Sequence, residues 1–318
     1  MSDQSTMASA VSAALAAPAD LAGTAVPDDS AGAAASVVTK GRRTRAGRRI
    51  GVGGCLAVGW LGLLVVAAVT AQWLPLDDYD TLVGDPGVAP FADWSHPLGT
   101  DGIGRDALSR LVYGARASLV VSVGAAALGL LVGGLIGVLA GYLRGWVEAV
   151  VDVLANTLLA FPPLIMLLAL ASVVSPTLWT LAAGLALLAV PPSVRLAKAN
   201  VASAARREYV LVAEALGARR RRVVARELIP NVVPPLVSFA FVGMAALIVA
   251  EGSLSFLGLG IPPPSPSWGG MIAAGKDDLA DHPAFVFVPC AAMFLTVLAL
   301  NTMADLLGRR LDVRESML

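Results

Sequence analysis

The sequence predicts an all-α polytopic membrane protein, and three observations predict it. Of 318 residues, 57% are hydrophobic and only 14% charged, whereas a soluble domain carries about 25% charge. The mean hydropathy is +0.75. The apolar residues also gather in long runs separated by polar segments. A chain with so little charge cannot cover a water-facing surface of its own size. That disfavours a soluble enzyme, a secreted disulfide scaffold or a free nucleic-acid binder. Lys+Arg and Asp+Glu balance at 23 each, so net charge alone points to no partner. Cys55 and Cys290 lie in apolar runs at no metal or disulfide spacing and read as buried thiols.

Residues 1–49 are rich in Ala, Ser, Gly and Asp and show no apolar periodicity. They are predicted to be a disordered tail that ends in a basic cluster of Lys40, Arg42, Arg43, Arg45, Arg48 and Arg49. The run 50–74 follows, long enough to cross about 30 Å of hydrocarbon at 1.5 Å per residue. A cleaved signal would have its basic region near Met1 and a shorter apolar core, so this run is a retained first span. Further spans are predicted over 115–143, 147–174, 178–196, 232–257 and 285–307. In hydrocarbon the backbone must satisfy its own hydrogen bonds, so all are helices. The organisation is thus a tail (1–49), a six-helix domain (50–308) and a short tail (309–318). The domain carries a loop over 200–231 and two opposite-side segments, 75–113 and 258–284.

Six spans put both termini on one side, and the basic residues choose it. With the N-terminus in the cytoplasm, 19 of the 23 Lys and Arg fall inside and only Arg105, Arg110, Arg116 and Lys276 outside, a strong positive-inside bias. The second span carries Gly129, Gly133, Gly137 and Gly141, a ladder that lines one helix face and lets a neighbour approach closely. Proline pairs at 162–163, 191–192 and 234–235 each remove helix hydrogen bonds and predict a bend or break. The ionisable residues Asp152, Arg195, Lys198, Glu251 and Asp305 are expected near the interfaces, where snorkelling makes them inexpensive. No chain of mid-membrane carboxylates is present, which favours an energy source outside the bilayer over an ion-gradient carrier.

The loop between the fourth and fifth spans holds two short helical stretches. The first stops at Gly217, a natural helix C-terminal residue. The second, with Val223, Val224 and Leu228, is expected to end at Pro230. Together they form a knob, although charge alone equally permits a solvated basic loop that only enforces topology.

At this loop the sequence resembles a known family. Glu208-Tyr209, Ala215-Leu216-Gly217-Ala218 and Leu228-Ile229-Pro230-Asn231 are similar to the EAA loop of ABC-importer permeases, and in particular of the C-type subunit of dipeptide/oligopeptide (and nickel) permeases. The likeness continues through His96-Pro97-Leu98-Gly99-Thr100-Asp101, Gly104-Arg105-Asp106, Tyr113-Gly114-Ala115-Arg116, Leu159-Ala160-Phe161-Pro162, Leu254-Ser255-Phe256-Leu257-Gly258 and Pro266-Ser267-Trp268-Gly269. One departure stands out: where the family pattern has Glu-Ala-Ala, this chain reads Leu211-Val212-Ala213, and the nearest acid is Glu214.

The resemblance implies a non-catalytic, multi-pass subunit of a bacterial inner membrane importer for dipeptides, oligopeptides or related solutes such as glutathione or nickel. It implies no cofactor on this chain, with ATP and Mg held by two partner ATPases, and also a second homologous permease and an extracytoplasmic solute-binding protein. On that reading Glu208, Tyr209, Leu211, Ala213, Glu214, Ala215, Leu216, Gly217, Ala218, Pro230 and Asn231 couple to the ATPase. His96, Gly99, Asp101, Arg105, Asp106 and Trp268 are candidates for meeting the binding protein. Membrane lipid is the remaining partner, and the four arginines Arg219 to Arg222 are expected near acidic partner or lipid surfaces, a solvated run being the commoner alternative.

Two other motifs carry little. Gly270 to Asp277 nearly matches a phosphate-binding loop, but Asp277 replaces the hydroxyl that would meet magnesium, and the prolines before it cannot form the strand such a loop needs. His96 and His282 are the only histidines and lie far apart in sequence. They assemble no catalytic set and read as surface residues, a metal relay being the alternative. An ion-gradient carrier and a membrane scaffold are the rival functions, and the EAA-like loop argues against both.

Overall fold

The computed structural model describes residues 51–315, so the expected disorder of the tail 1–49 lies outside the described residues. Among the described residues the chain is helical, with no strand and only two isolated bridges, Leu82 to Arg105 and Thr100 to Asp106. Five helices are long and apolar enough to cross a membrane, and a bent pair passes the same test only when its two halves are taken together.

The first helix, α1 (Val52–Thr70), ends in a 3-10 turn, Ala71–Trp73. The second, α2 (Ala107–Leu143), begins eight residues before the predicted span. The Asp106 side chain caps it, accepting from the backbone N–H of Leu108 at 3.4 Å and of Ser109 at 2.8 Å, which satisfies donors that a helix start leaves unpaired.

The third predicted span is not one helix. It divides into α3 (Trp146–Ala160) and α4 (Pro163–Val173), bent by 87° at the Phe161-Pro162 junction. Pro163 sits in the first turn of α4, where a missing N–H costs nothing. The pairs Pro191–Pro192 and Pro234–Pro235, by contrast, lie within helices that continue through them, α5 (Leu178–Ala204) and α8 (Ile229–Phe256).

The glycine ladder packs α2 against α5. A Cβ on Gly133 would lie 2.5 Å from the Val190 carbonyl oxygen, and one on Gly141 would lie 3.0 Å from that of Lys198. Additions at Gly129 and Gly137 would collide with Ala189 and with the Val194 carbonyl. The four glycines therefore set the distance between the two backbones.

The bundle core falls into three clusters. One, around Val121, Ala125, Leu185, Leu247 and Leu254, joins α2, α5 and α8. A second, with Val138, Val201, Val210, Val223, Leu228 and Val232, lies at the loop end. A third, with Leu64, Ala115, Ile248, Trp268 and Leu300, joins α1, α2 and α8 to α9 (Trp268–Gly275) and α10 (Ala284–Glu315). The last helix runs past the expected boundary at 308, so the first residues of the expected tail, 309–315, are helical.

Candidate functional site: a loop-end knob and its anchors

The loop from 205 to 228 builds the knob. Helix α6 (Glu208–Ala215) places Glu208 in its first turn, where a negative charge is favourable. It closes at Gly217, whose φ is +78°, a conformation that glycine adopts without penalty. There the Ala218 N–H donates to the Ala213 carbonyl at 3.0 Å and the Gly217 N–H to that of Glu214 at 2.9 Å, the paired bonds of a Schellman ending. The short α7 (Arg220–Arg222) follows, then a π-helical turn, Val223–Leu228.

The second stretch does not stop at Pro230, as expected from sequence. Pro230 lies in the first turn of α8, preceded by the π turn in which the Ile229 N–H donates to the Val224 carbonyl. The missing N–H of Pro230 falls at the junction of the π turn and α8, and turn and span form one helical run, 220–256. Asn231, exposed, donates through Nδ2 to the Glu227 carbonyl at 2.6 Å.

The knob has two faces. Val210, Val223 and Leu228 are fully buried and fix it to Val201 and Val232 of the bundle. On the other face Tyr209, Leu211 (52% exposed), Val212 and Leu216 (83% exposed) are uncovered, with Glu208, Glu214 and Ala215 also exposed. Beside them opens a recess of about 470 Å³ lined by Ala213, Leu216, Gly217, Ala218, Arg219, Arg222, Val223 and Glu227. The Tyr142 hydroxyl, at the end of α2, donates to Glu214 Oε1 at 3.2 Å. The structure thus brings together all the predicted loop residues except Pro230 and Asn231, which belong to the foot of α8. Sequence reasoning missed Tyr142, which contacts its partner across 72 positions.

The six candidates at the opposite end are mostly internal. Asp101 accepts from the N–H of Ile103 and of Arg105 at 3.0 Å, from Arg105 Nε at 2.8 Å, and pairs with Arg110 Nε at 3.4 Å. His96 Nδ1 lies 3.6 Å from Asp106 Oδ1 and 4.0 Å from Asp77 Oδ2 without a hydrogen-bond partner. Asp106 is consumed as a helix cap, and Gly99 is packed against the Val88 carbonyl. Trp268 is wholly buried, its indole N–H donating to the Leu111 carbonyl at 3.1 Å. Trp268, Asp106 and Gly99 therefore present nothing to a partner and instead hold the 75–106 segment and α9 in place. The exposed large apolar side chains there are Leu82, Phe91, Trp94 and Ile103. Nearby Asp93 is held below the usual carboxylate range by the Ser95 backbone N–H.

Glu251 also departs from expectation. Rather than snorkelling, it is fully buried. Ser118 Oγ donates to Oε2 at 2.9 Å and Ser255 Oγ to Oε1 at 2.7 Å. Behind them Ser267 Oγ donates to Ser255 Oγ at 3.2 Å and the Trp268 N–H to Ser118 Oγ at 3.4 Å. Two relays thus run from the N-terminus of α9 to one carboxylate, joining α2, α8 and α9. Among the described residues no group of three or more His, Cys, Asp or Glu could hold a metal ion.

A bundle of five to six helices long and apolar enough to cross a membrane, with one anchored knob whose apolar face is uncovered, defines an integral membrane component. The chain belongs to the family of binding-protein-dependent transport system inner membrane components, whose model matches residues 133–316. It is 35% identical over 261 residues to a protein of Brucella suis biovar 1 (strain 1330) named as a peptide permease, a match covering 80% of this chain and 84% of that one. It is 34% identical over 256 residues to the glutathione transport system permease protein GsiD of Escherichia coli O6:K15:H31, covering 79% and 82%. In fold it is similar to a chain of the MetNI methionine ABC transporter in inward-facing conformations, with a TM-score of 0.50 and 18% identity over 64% of this chain and 96% of that one.

Proposed function

We propose that this chain is a permease subunit of an ATP-driven importer in a bacterial inner membrane, with both termini in the cytoplasm, and that it takes up short peptides or peptide-like solutes such as glutathione. The observation that carries the reading is the knob: an exposed apolar face on α6, closed at Gly217 and anchored to the bundle by Val210, Val223 and Leu228. Exposed leucines on a charged loop are costly in water and favourable once covered by a partner. In this reading the partner is one of two ATPases that hold ATP and Mg, and a second, homologous permease completes the path. A binding protein delivers solute to the opposite face.

Closure of the ATPases would move the knob, and the helices α5 and α8 that flank it would carry the displacement through the bilayer, a rigid-body rocking of packed helices. This chain itself performs no hydrolysis. The substrate class rests on the names of the relatives, and the orientation on the asymmetry of Lys and Arg.

The test is co-purification. Full-length chain should retain the ATPases expressed with it. A variant with 208–222 replaced by a flexible Gly-Ser linker should still insert in the membrane but lose them. Equal retention by both proteins would overturn the reading.

A further inference from the structure

Helix α3 is fixed to the bundle in an unusual way. Of its 15 residues, Ala155 is the one with a fully buried side chain, so apolar packing within this chain holds it only weakly. It is also too short to cross about 30 Å of hydrocarbon by itself, and the 87° break separates it from α4.

Its attachment to α5 is polar. Glu148, Asp152 and Asn156 recur every four residues and line one face of α3. Arg195 and Lys198 on α5, three residues apart, meet that face. Lys198 Nζ donates to both Asp152 oxygens, at 2.6 and 2.7 Å, and lies 3.2 Å from Glu148 Oε1. Arg195 Nη2 donates to Asn156 Oδ1 at 2.5 Å. Two cations face two carboxylates, so the ladder is neutral as a unit. The lysine side chain is 22% exposed and both carboxylates 38%, partial shielding that strengthens charge-assisted bonds over those in open water. The same helix α5 ends at Ala204, where the knob begins, and α6 starts four residues later.

We propose that the Lys198–Asp152–Glu148 contact, seconded by Arg195–Asn156, is the joint that makes α3 move with α5, so that Lys198 is a positioning residue for the transport stroke. α3 follows the knob because it is tied to the helix that enters it. α4, beyond the proline break, reaches α5 by apolar packing instead, with Leu167 buried beside Leu181 and Leu185, so the polar joint is what adds α3 to the same moving unit. This inference rests on the reading of the knob as the ATPase-coupling element.

The test uses spin-label pairs in the assembled transporter, in a background with Cys55 and Cys290 replaced by Ala. One pair, at Val153 and Ala199, spans the joint; the other, at Val153 and Asp277, reports the movement of α3 against the opposite end. In the parent, MgATP should leave the first distance within about 2 Å, the scale of helix shifts at packed interfaces, and change the second. Lys198→Met should broaden the first distance distribution even without nucleotide and abolish the ATP-driven change in the second. The exchange Lys198→Asp with Asp152→Lys should restore both.

The joint is overturned if Lys198→Met behaves as the parent. It is also overturned if the parent's first distance shifts with ATP, or if the exchange fails wherever Lys198→Met fails, which would assign these residues to folding. Failure of the coupling reading looks different, because the ATPases would then not co-purify while the nucleotide-free broadening would persist.

Discussion

The Tyr142 hydroxyl donates to Glu214 Oε1 at 3.2 Å and so ties the free face of α6 to the end of α2. Glu214 is the acid nearest Gly217, in a chain that lacks a carboxylate at 211. The contact gives it an anchoring task within the chain, leaving Leu211 and Leu216 as the face turned outward. Tyr142→Phe should remove about 0.5–1.5 kcal/mol of anchoring. Hydrogen exchange over 208–215 should then quicken by up to about tenfold, with the rest of the bundle unchanged. Unchanged exchange in that helix would show that the bond holds nothing.

Leu216 and Leu211 carry the exposed apolar face of the knob. Covering a leucine is worth about 1.5–3 kcal/mol, so Leu216→Asp should weaken association with the ATPase by about tenfold or more, measured by titration in detergent. Membrane insertion and thermal stability should be retained, since Leu216 is 83% exposed. Undiminished affinity would remove α6 from the interface.

The ladder on α2 supplies its own control. Gly133→Val should overpack the α2–α5 contact and cost at least about 1–3 kcal/mol, visible as a lowered Tm by fluorescence-detected chromatography. Gly134→Ala should be tolerated, because its added methyl would lie 3.7 Å from Leu236 Cδ1, an ordinary contact. Equal stability of the two variants would refute the close-approach account.

Glu251→Ala strands the hydroxyls of Ser118 and Ser255, both buried, at about 1–3 kcal/mol each. Glu251→Gln keeps the shape and one acceptor, so its loss should be smaller. The order parent, Gln, Ala in Tm is the expected result, and the α9 region should exchange fastest in the alanine variant. A stable Glu251→Ala protein would mean that the relays from α9 are dispensable.

How far the sequence foretold this arrangement depends on whether a feature is local. Five of the six span positions, the glycine stripe and the stop at Gly217 follow from composition and helical period and are present, while the third span is broken in two. The α2 start at Ala107 was also written locally, as an Asp before a helix with Ser three residues on, but the polar flank of the apolar run concealed it. The break at Phe161-Pro162 was signalled by its prolines, yet two similar pairs stay helical. What separates them is neighbour packing, which no single segment records. The buried state of Glu251 was illegible because depth along a helix says nothing of which residues face it: Ser118 is 133 positions away. Trp268 and Asp106 carry strong motif signals, but those signals mark parts that hold the 75–106 segment and α9 together, and motif strength does not separate an internal bolt from an outward contact. Lys198 and Asp152, 46 positions apart, meet for the same non-local reason.

The run from Arg220 to Phe256 is helical throughout its 37 residues, about 55 Å at 1.5 Å per residue. One tip stands beside the recess under Gly217, and near the other Gly269 of α9 rests on Gly252. If the proposed coupling moves this run as one piece, its two ends swing in opposite senses, and a wider mouth at one end of the bundle would mean a narrower one at the other.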